Sequence, residues 1–176
     1  MKLQVRYANH PEDSKHYTTE QLRKHYLMEK VFEEDEILLV YSHQDRIVSG
    51  GVMPVTKVLP LETSDELRAN YFLERRELGI INIGGAGKVT LDGKVYEIKP
   101  KDGMYVGMGT KEVLFESVDS NNPAKFYISS CPAHTTYPTY YIDLKRLITV
   151  HVVRLKHLMR VLLINIFIQM YVSLVN

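Results

Sequence analysis

Arg75 and Arg76 stand between Glu74 and Glu77 in the string YFLERRELGIINIGGAG. Two adjacent guanidinium groups present paired N–H donors that match a carboxylate. The reading favoured over it is that they make ion pairs within or between subunits. His43, in YSHQD, and His134, in PAHTT, are candidate general bases, because imidazole titrates near neutrality. Histidines on turns also serve as solvated or hydrogen-bonded structural groups. The acidic run Glu33-Glu34-Asp35-Glu36 reads as a solvated loop, with metal binding as the alternative. The GGAG string at 84–87 resembles a phosphate-cradling loop only superficially. It precedes a strand rather than a helix, so nucleotide binding is rejected. The single cysteine, Cys131, has no partner for an internal disulfide and suits a reducing compartment.

The elements that must position these groups are mostly short strands. Ile37 to Tyr41 is a continuous apolar run, hence a buried strand. Ser42 to Asp45 turns the chain, and Arg46 to Met53 returns, with Gly50-Gly51 allowing a bulge or close backbone approach. Val55 to Leu59 continues the β pattern. Leu78–Ile83, Lys88–Leu91, Lys94–Ile98, Met104–Val106, Lys111–Ser117 and Lys125–Cys131 follow as further strands. Asp92-Gly93 supplies the two positive-φ residues of a tight hairpin, and Pro100–Gly103 a second turn. This spacing predicts an all-β sandwich or barrel. One helix is expected from Thr18 to near Lys30, opened by a Thr18/Gln21 capping box and marked by Leu22, Tyr26 and Leu27. Residues 1–17 read as a polar leader, 60–70 as a loop with one helical turn, and 132–139 as an extended arm.

The 176 residues suffice for one domain with a real core. The formal charge of +1 hides an asymmetry: residues 140–176 carry five Lys/Arg and one Asp. The remainder carries 17 basic and 20 acidic side chains, which does not suggest nucleic-acid binding. The N-terminal string MKLQVRYANHPEDSKHY has no apolar core of a signal peptide, so a cytoplasmic protein is expected.

The pattern E-x6-G, a turn, then P-x-D-G and an apolar doublet resembles the skeleton of a cupin barrel, with Glu77 and Gly84 where its first motif ends. Longer strings are more specific: EKVFEEDEILLVYSHQDRIVSGGVMP, YFLERRELGIINIGGAGKVTLDGKVYEI and PAKFYISSCPAHTTYPT. Over about residues 17–139 they resemble the N-terminal half of the 5-keto-4-deoxyuronate isomerase family, the 4-deoxy-L-threo-5-hexosulose-uronate ketol-isomerases. The resemblance implies a cupin-like double-stranded β-helix barrel at 37–139, after a leader and helix at 1–36. It also implies an aldose–ketose isomerase of uronate (pectin) catabolism, a small-molecule uronate substrate, and a homo-oligomer. In that role Arg75 and Arg76 would bind substrate, and His43 and His134 would be the weak catalytic candidates.

Zinc is expected for the full-length family, in a second barrel with His and Glu ligands. A metal-binding cupin needs H-x-H-x3-E and a second-motif histidine. Aligned on Glu77, Tyr71 and Leu73 take the two histidine places and Glu112 falls near the last. Leucine cannot ligate, so no metal site is expected in this barrel, and Glu77 reads as a structural salt-bridge partner.

The resemblance ends after Thr139. From Val161 to Asn176 no residue is charged, and the stretch is short for a membrane span, which needs ~20 residues. Some codon choices for VLLINIFIQMYVSLVN, read two nucleotides on, encode VINKYIHPDVCESCQ, a string similar to the family's continuation. Residues 140–176 are therefore expected to be an out-of-frame, non-family tail, with His151 and His157 incidental and the chain inactive alone. The alternatives are a non-catalytic cupin-like binding or oligomerisation module, and a genuine membrane or partner-binding tail helix.

Overall fold

Eleven strands, two short helices and one 3-10 turn are present in the computed structural model, which describes residues 1–143. In chain order they are β1 (Lys2–Arg6), α1 (Pro11–Ser14), α2 (Thr19–Tyr26), β2 (Glu36–Ser42), β3 (Val48–Met53) and β4 (Leu59–Pro60). After the 3-10 turn Asp65–Leu67 come β5 (Arg76–Asn82), β6 (Gly87–Leu91), β7 (Lys94–Ile98) and β8 (Gly103–Val106). The last three are β9 (Val113–Ser117), β10 (Phe126–Pro132) and β11 (Tyr140–Ile142). One sheet has the order β1-β2-β3-β10-β5-β8-β11, and a smaller one has β4-β9-β6-β7. Among the described residues only β1 and β2 pair in parallel, and every other pair is antiparallel. The fold is all-β, with the two sheets facing each other across one core.

Side-chain alternation builds that core. The large sheet supplies Leu78, Ile80, Met104, Val106 and Ile128, and the small sheet Val89, Leu91 and Val113. Phe126 of the first meets Phe115 of the second with ring centroids 5.2 Å apart, so an aromatic contact bridges the layers. The predicted hairpin forms as its sequence requires: Asp92 and Gly93 have φ of 47° and 82°, between the paired β6 and β7.

Several expectations shift by position. Residues 2–6 are not a bare leader. Leu3 and Val5 alternate with polar neighbours and pack against the core as β1 pairs with β2. The capping box at Thr18 is present, but α2 ends at Tyr26 rather than near Lys30. Leu22, Tyr26 and Leu27 stay exposed, and the Leu27 carbonyl accepts from Arg6 Nη2 at 2.6 Å instead of continuing the helix. Val55–Val58 is loop, and only Leu59–Pro60 pair, with β9. Tyr140–Ile142 add an edge strand beside β8, where Tyr141 Oη donates to Asp102. The expected tail features at 161–176, His151 and His157 lie outside the described residues. Among the described residues, no helix is long and apolar enough to cross a membrane.

The acidic run is structural rather than simply solvated. Glu33 pairs with Lys2 and Lys30, and Glu36 opens β2. Asp35 sits at φ 55° and its carboxylate accepts from Val55 N and Thr56 N, both at 2.8 Å, and from Thr56 Oγ1. Those donors, Thr56 first, hold its carboxyl at about 2, below the ordinary 3.8. A depressed carboxyl stabilises the fold fully above its unfolded value and loses that contribution as pH falls through about 2. Relative to Asp35→Asn, the wild type should therefore hold an advantage in urea midpoint that shrinks between 3.8 and about 2 and vanishes below. A pH-independent gap would contradict this.

Gly50 tests the β2–β3 contact. A Cβ there would stand 1.9 Å from the Leu38 carbonyl oxygen, which is backbone and cannot swing aside. Gly50→Ala should cost about 1–3 kcal/mol in urea denaturation, the usual penalty for overpacking.

Candidate functional site

Arg75, Arg76, Glu77, His43 and His134 gather at one end of the seven-stranded sheet. There β10 ends, β5 begins, and the β2–β3 turn closes. Cys131 and Pro132 pair with Glu77 and Arg76, and the Ala133 N–H donates to the Arg75 carbonyl at 3.0 Å. His134 follows directly. His43 lies in the β2–β3 turn, where its N–H donates to the Arg6 carbonyl at 2.8 Å. Its ring stacks on Tyr7 at 4.5 Å and meets Tyr41 edge-on at 5.1 Å. His43 and His134 are both exposed.

The two arginines part company because neighbouring strand residues point to opposite faces. Arg76 turns inward with Leu78 and Ile80 and is 7% exposed. Its Nε donates to Ser130 Oγ at 3.1 Å, and Nη2 donates to the carbonyls of Arg46 and Ser130 at 2.6 and 2.9 Å. Ser130 Oγ in turn donates to the Glu77 carbonyl at 2.6 Å. Burial lowers the Arg76 pKa from its ordinary value without any carboxylate contact to offset it. Its donors therefore pin three chain segments together. Among the described residues neither arginine makes an ion pair within the chain.

Glu77 faces the other way, off the core. Its Oε2 accepts from Tyr105 Oη at 2.8 Å and its Oε1 from Cys131 Sγ at 3.4 Å. Burial first, then the Glu77 charge, pushes the Cys131 thiol up to about 12 and the Tyr105 phenol above its usual range. The sequence does not reveal this trio, because Tyr105 and Cys131 meet Glu77 only through the registers of β8 and β10.

Beside this end lies an open cleft of about 590 Å³, lined by Thr63, Ser64, Arg68, Asn70, Glu74 and Arg75. Arg68 adopts φ 47°, which ends the 3-10 turn and bends the chain around the cleft. The Arg68 carbonyl accepts from Arg75 Nη2. Glu74 accepts from Asn70 N at 2.6 Å and Asn70 Nδ2 at 3.0 Å, which lowers its pKa. The hydroxyls of Thr63 and Ser64 are buried with no protein hydrogen-bond partner. Each such orphan costs about 1–3 kcal/mol. The sequence reads this segment as a loop, and nothing local in TSDE signals that both hydroxyls are orphaned.

The positions aligned to a cupin metal motif do not converge. Leu73 is in the core, Glu77 faces off it, and Glu112 is exposed just before β9 of the other sheet. Among the described residues, no three His, Cys, Asp or Glu side chains group as a metal site.

The thiol shift predicts reactivity. At about pH 8, Cys131 of the folded chain should alkylate far more slowly than an ordinary thiol of pKa ≈ 8.5. Glu77→Gln removes the neighbouring charge and should speed alkylation several-fold, with the unfolded chain as the common reference. Equal rates in the folded wild type and variant would contradict the assigned contact.

The family model described as KduI/IolB family matches residues 26–154. Over 140 residues the chain is 59% identical to a 4-deoxy-L-threo-5-hexosulose-uronate ketol-isomerase of Lachnoclostridium phytofermentans, covering 80% of this chain and 51% of the relative. A Formosa agariphila protein of the same name is 53% identical over 138 residues, covering 78% of this chain and 49% of the relative. A solved RmlC-like cupin protein from Desulfovibrio desulfuricans aligns at 18% identity and TM-score 0.43, over 61% of this chain and 94% of that one. The chain spans about half the length of the curated relatives it matches. On the extent of the family match and the identity to these relatives, the chain belongs to the KduI/IolB family.

Proposed function

We propose that this chain supplies the N-terminal barrel of a 4-deoxy-L-threo-5-hexosulose-uronate ketol-isomerase. The observation that carries the reading is the 59% identity over 140 residues to a curated relative of that name. The reaction interconverts 5-keto-4-deoxyuronate and 3-deoxy-D-glycero-2,5-hexodiulosonate, in the breakdown of pectin-derived uronates. It moves hydrogen between adjacent carbons, which needs a base and a group that polarises the carbonyl. The proposal includes a small uronate substrate, a cytoplasmic setting and a homo-oligomer.

Zinc does not fit the described residues, because they offer no three-ligand group. Its ligands are assigned to the part of the family chain that this one does not match. The described residues instead build a rigid sheet end and a cleft that carries Arg75.

One observation favours the second reading, a non-catalytic binding or oligomerisation module. Arg76 is held by main-chain carbonyls and Ser130, and His43 is stacked against tyrosines. Two proteins separate the readings: 1–176 alone, and residues 1–139 joined to the unmatched half of the Lachnoclostridium relative. We expect uronate isomerisation and stoichiometric zinc from the joined protein, and neither from 1–176. Turnover by 1–176, or a folded joined protein without turnover, overturns the proposal.

A further inference from the structure

We infer that Arg76 binds a small monovalent anion, chloride in size, through its Nη1 at the sheet end closed by the β2–β3 turn. The inference does not depend on the function proposed above.

The donor count comes first. A guanidinium has five N–H donors, one on Nε and two on each Nη. Ser130 Oγ takes Nε, and the carbonyls of Arg46 and Ser130 take Nη2. Nη1 has no protein partner. Among the described residues, Thr63 Oγ1 and Ser64 Oγ alone are side-chain N or O atoms both enclosed and unpartnered. Nη1 is therefore unpartnered yet still reaches solvent, although the residue as a whole is only 7% exposed. Three hydrogen bonds fix the rest of the guanidinium, so Nη1 is presented in one place.

The charge balance points to an anion. Neutral acceptors hold a guanidinium without cancelling its charge, and an arginine this buried is ordinarily paired with an acid. The acids adjacent in sequence do not serve. Glu77 faces off the core, with its oxygens on Tyr105 and Cys131. Asp45, in the turn beside Arg46, is exposed and pairs with neither arginine. A second cation stands close instead. Burial first, and then the charge of Arg46, disfavours the protonated form of Arg76. An anion drawn from solvent would offset both effects.

The surroundings set its size. Neither described cleft includes Arg76, and so little of the residue is exposed that the opening at Nη1 is narrow. That suits a halide or nitrate better than a sugar acid or sulfate. Tyr41 supplies a further donor on the same face. It pairs with Val48, and Val48 pairs with Ser130, whose hydroxyl holds Arg76. Its ring packs edge-on against His43, and its hydroxyl, like Nη1, is neither partnered nor enclosed.

Chlorine NMR linewidths, titrated over the 176-residue chain, test the site. We expect saturable excess broadening with a Kd of about 10 mM, the weak affinity of one buried cation that also faces solvent. Bromide and nitrate should compete, and acetate and sulfate should not. Arg46→Gln keeps the main-chain carbonyl that Arg76 uses and removes the second charge, so it should weaken chloride several-fold. Tyr41→Phe keeps the ring and should weaken it likewise. Arg76→Gln should abolish the broadening; if that variant does not fold, the other two decide. Replacing gluconate by chloride at constant ionic strength should raise the melting temperature of the wild type more than that of Arg46→Gln, since a ligand of the native state stabilises it. Absence of saturable broadening by the folded chain overturns the inference. So does equal competition by acetate or sulfate, chloride binding unchanged in both Arg46→Gln and Tyr41→Phe, or equal melting shifts in wild type and Arg46→Gln.

Discussion

Strand β5 is buried along its whole length, on both faces, and the rest of the molecule answers to that. A strand covered on both sides cannot leave a polar group to water, so each one must be satisfied internally. Asn82, fully buried at one end, shows how completely this is done. Its Nδ2 donates to the carbonyls of Gly85 and Ile98 at 2.7 and 2.9 Å. Its Oδ1 accepts from Gly84 N and Lys125 N at 3.1 and 3.3 Å. One side chain thereby fixes the β5–β6 connection, the end of β7 and the approach to β10. At the other end Arg76 does the same inward, and Glu77 outward through Tyr105 and Cys131. Removing any of these side chains would leave its partners buried and unpaired, which costs more than the bond itself contributes.

The strands were legible because their signals are local. Alternation and turn chemistry locate β6, the Asp92-Gly93 turn and β7 without tertiary information, and a continuous apolar run marks β2. The misses are equally physical. Val55–Val58 has β-propensity but no partner strand, since Asp35 takes the main-chain donors of Val55 and Thr56. β1 alternates Leu3 and Val5 over only five residues, too short a pattern to separate from a polar leader until β2 lies beside it. Helix α2 shows the reverse case. Its cap was readable to the residue, but its end depends on Arg6 reaching the Leu27 carbonyl from another element.

The candidate site was only partly legible, and strand parity explains where it failed. Glu77 reads in sequence as a salt-bridge partner, but strand direction gives it neutral donors instead. The apolar residues at 78 and 80 point into the core, so Arg76 shares their face and Glu77 does not. The four charges Glu74 to Glu77 look in sequence like one ion-paired cluster. On the strand they are split between cleft, core and outer face, and each finds neutral donors or acceptors instead. Burial, reinforced by the Glu77 carboxylate, raises the Cys131 and Tyr105 pKa values.

The same splitting decides what each arginine can offer a ligand. Arg76 holds the β5, β10 and β2–β3 segments together through Nε and Nη2, and a ligand drawing on those two nitrogens would have to break bonds that close the end of the sheet. Arg75, one residue earlier, is exposed, and its guanidinium donates to the Arg68 carbonyl. Alternation at the start of the strand thus gives a repeated residue type two settings, one buried and structural and one exposed. Just beyond the paired ends of β10 and β5, the Ala133 N–H donates to the Arg75 carbonyl. Arg75 therefore presents its guanidinium from a main chain held by a hydrogen bond rather than from a free loop. Binding groups held this way lose less conformational entropy when a ligand orders them.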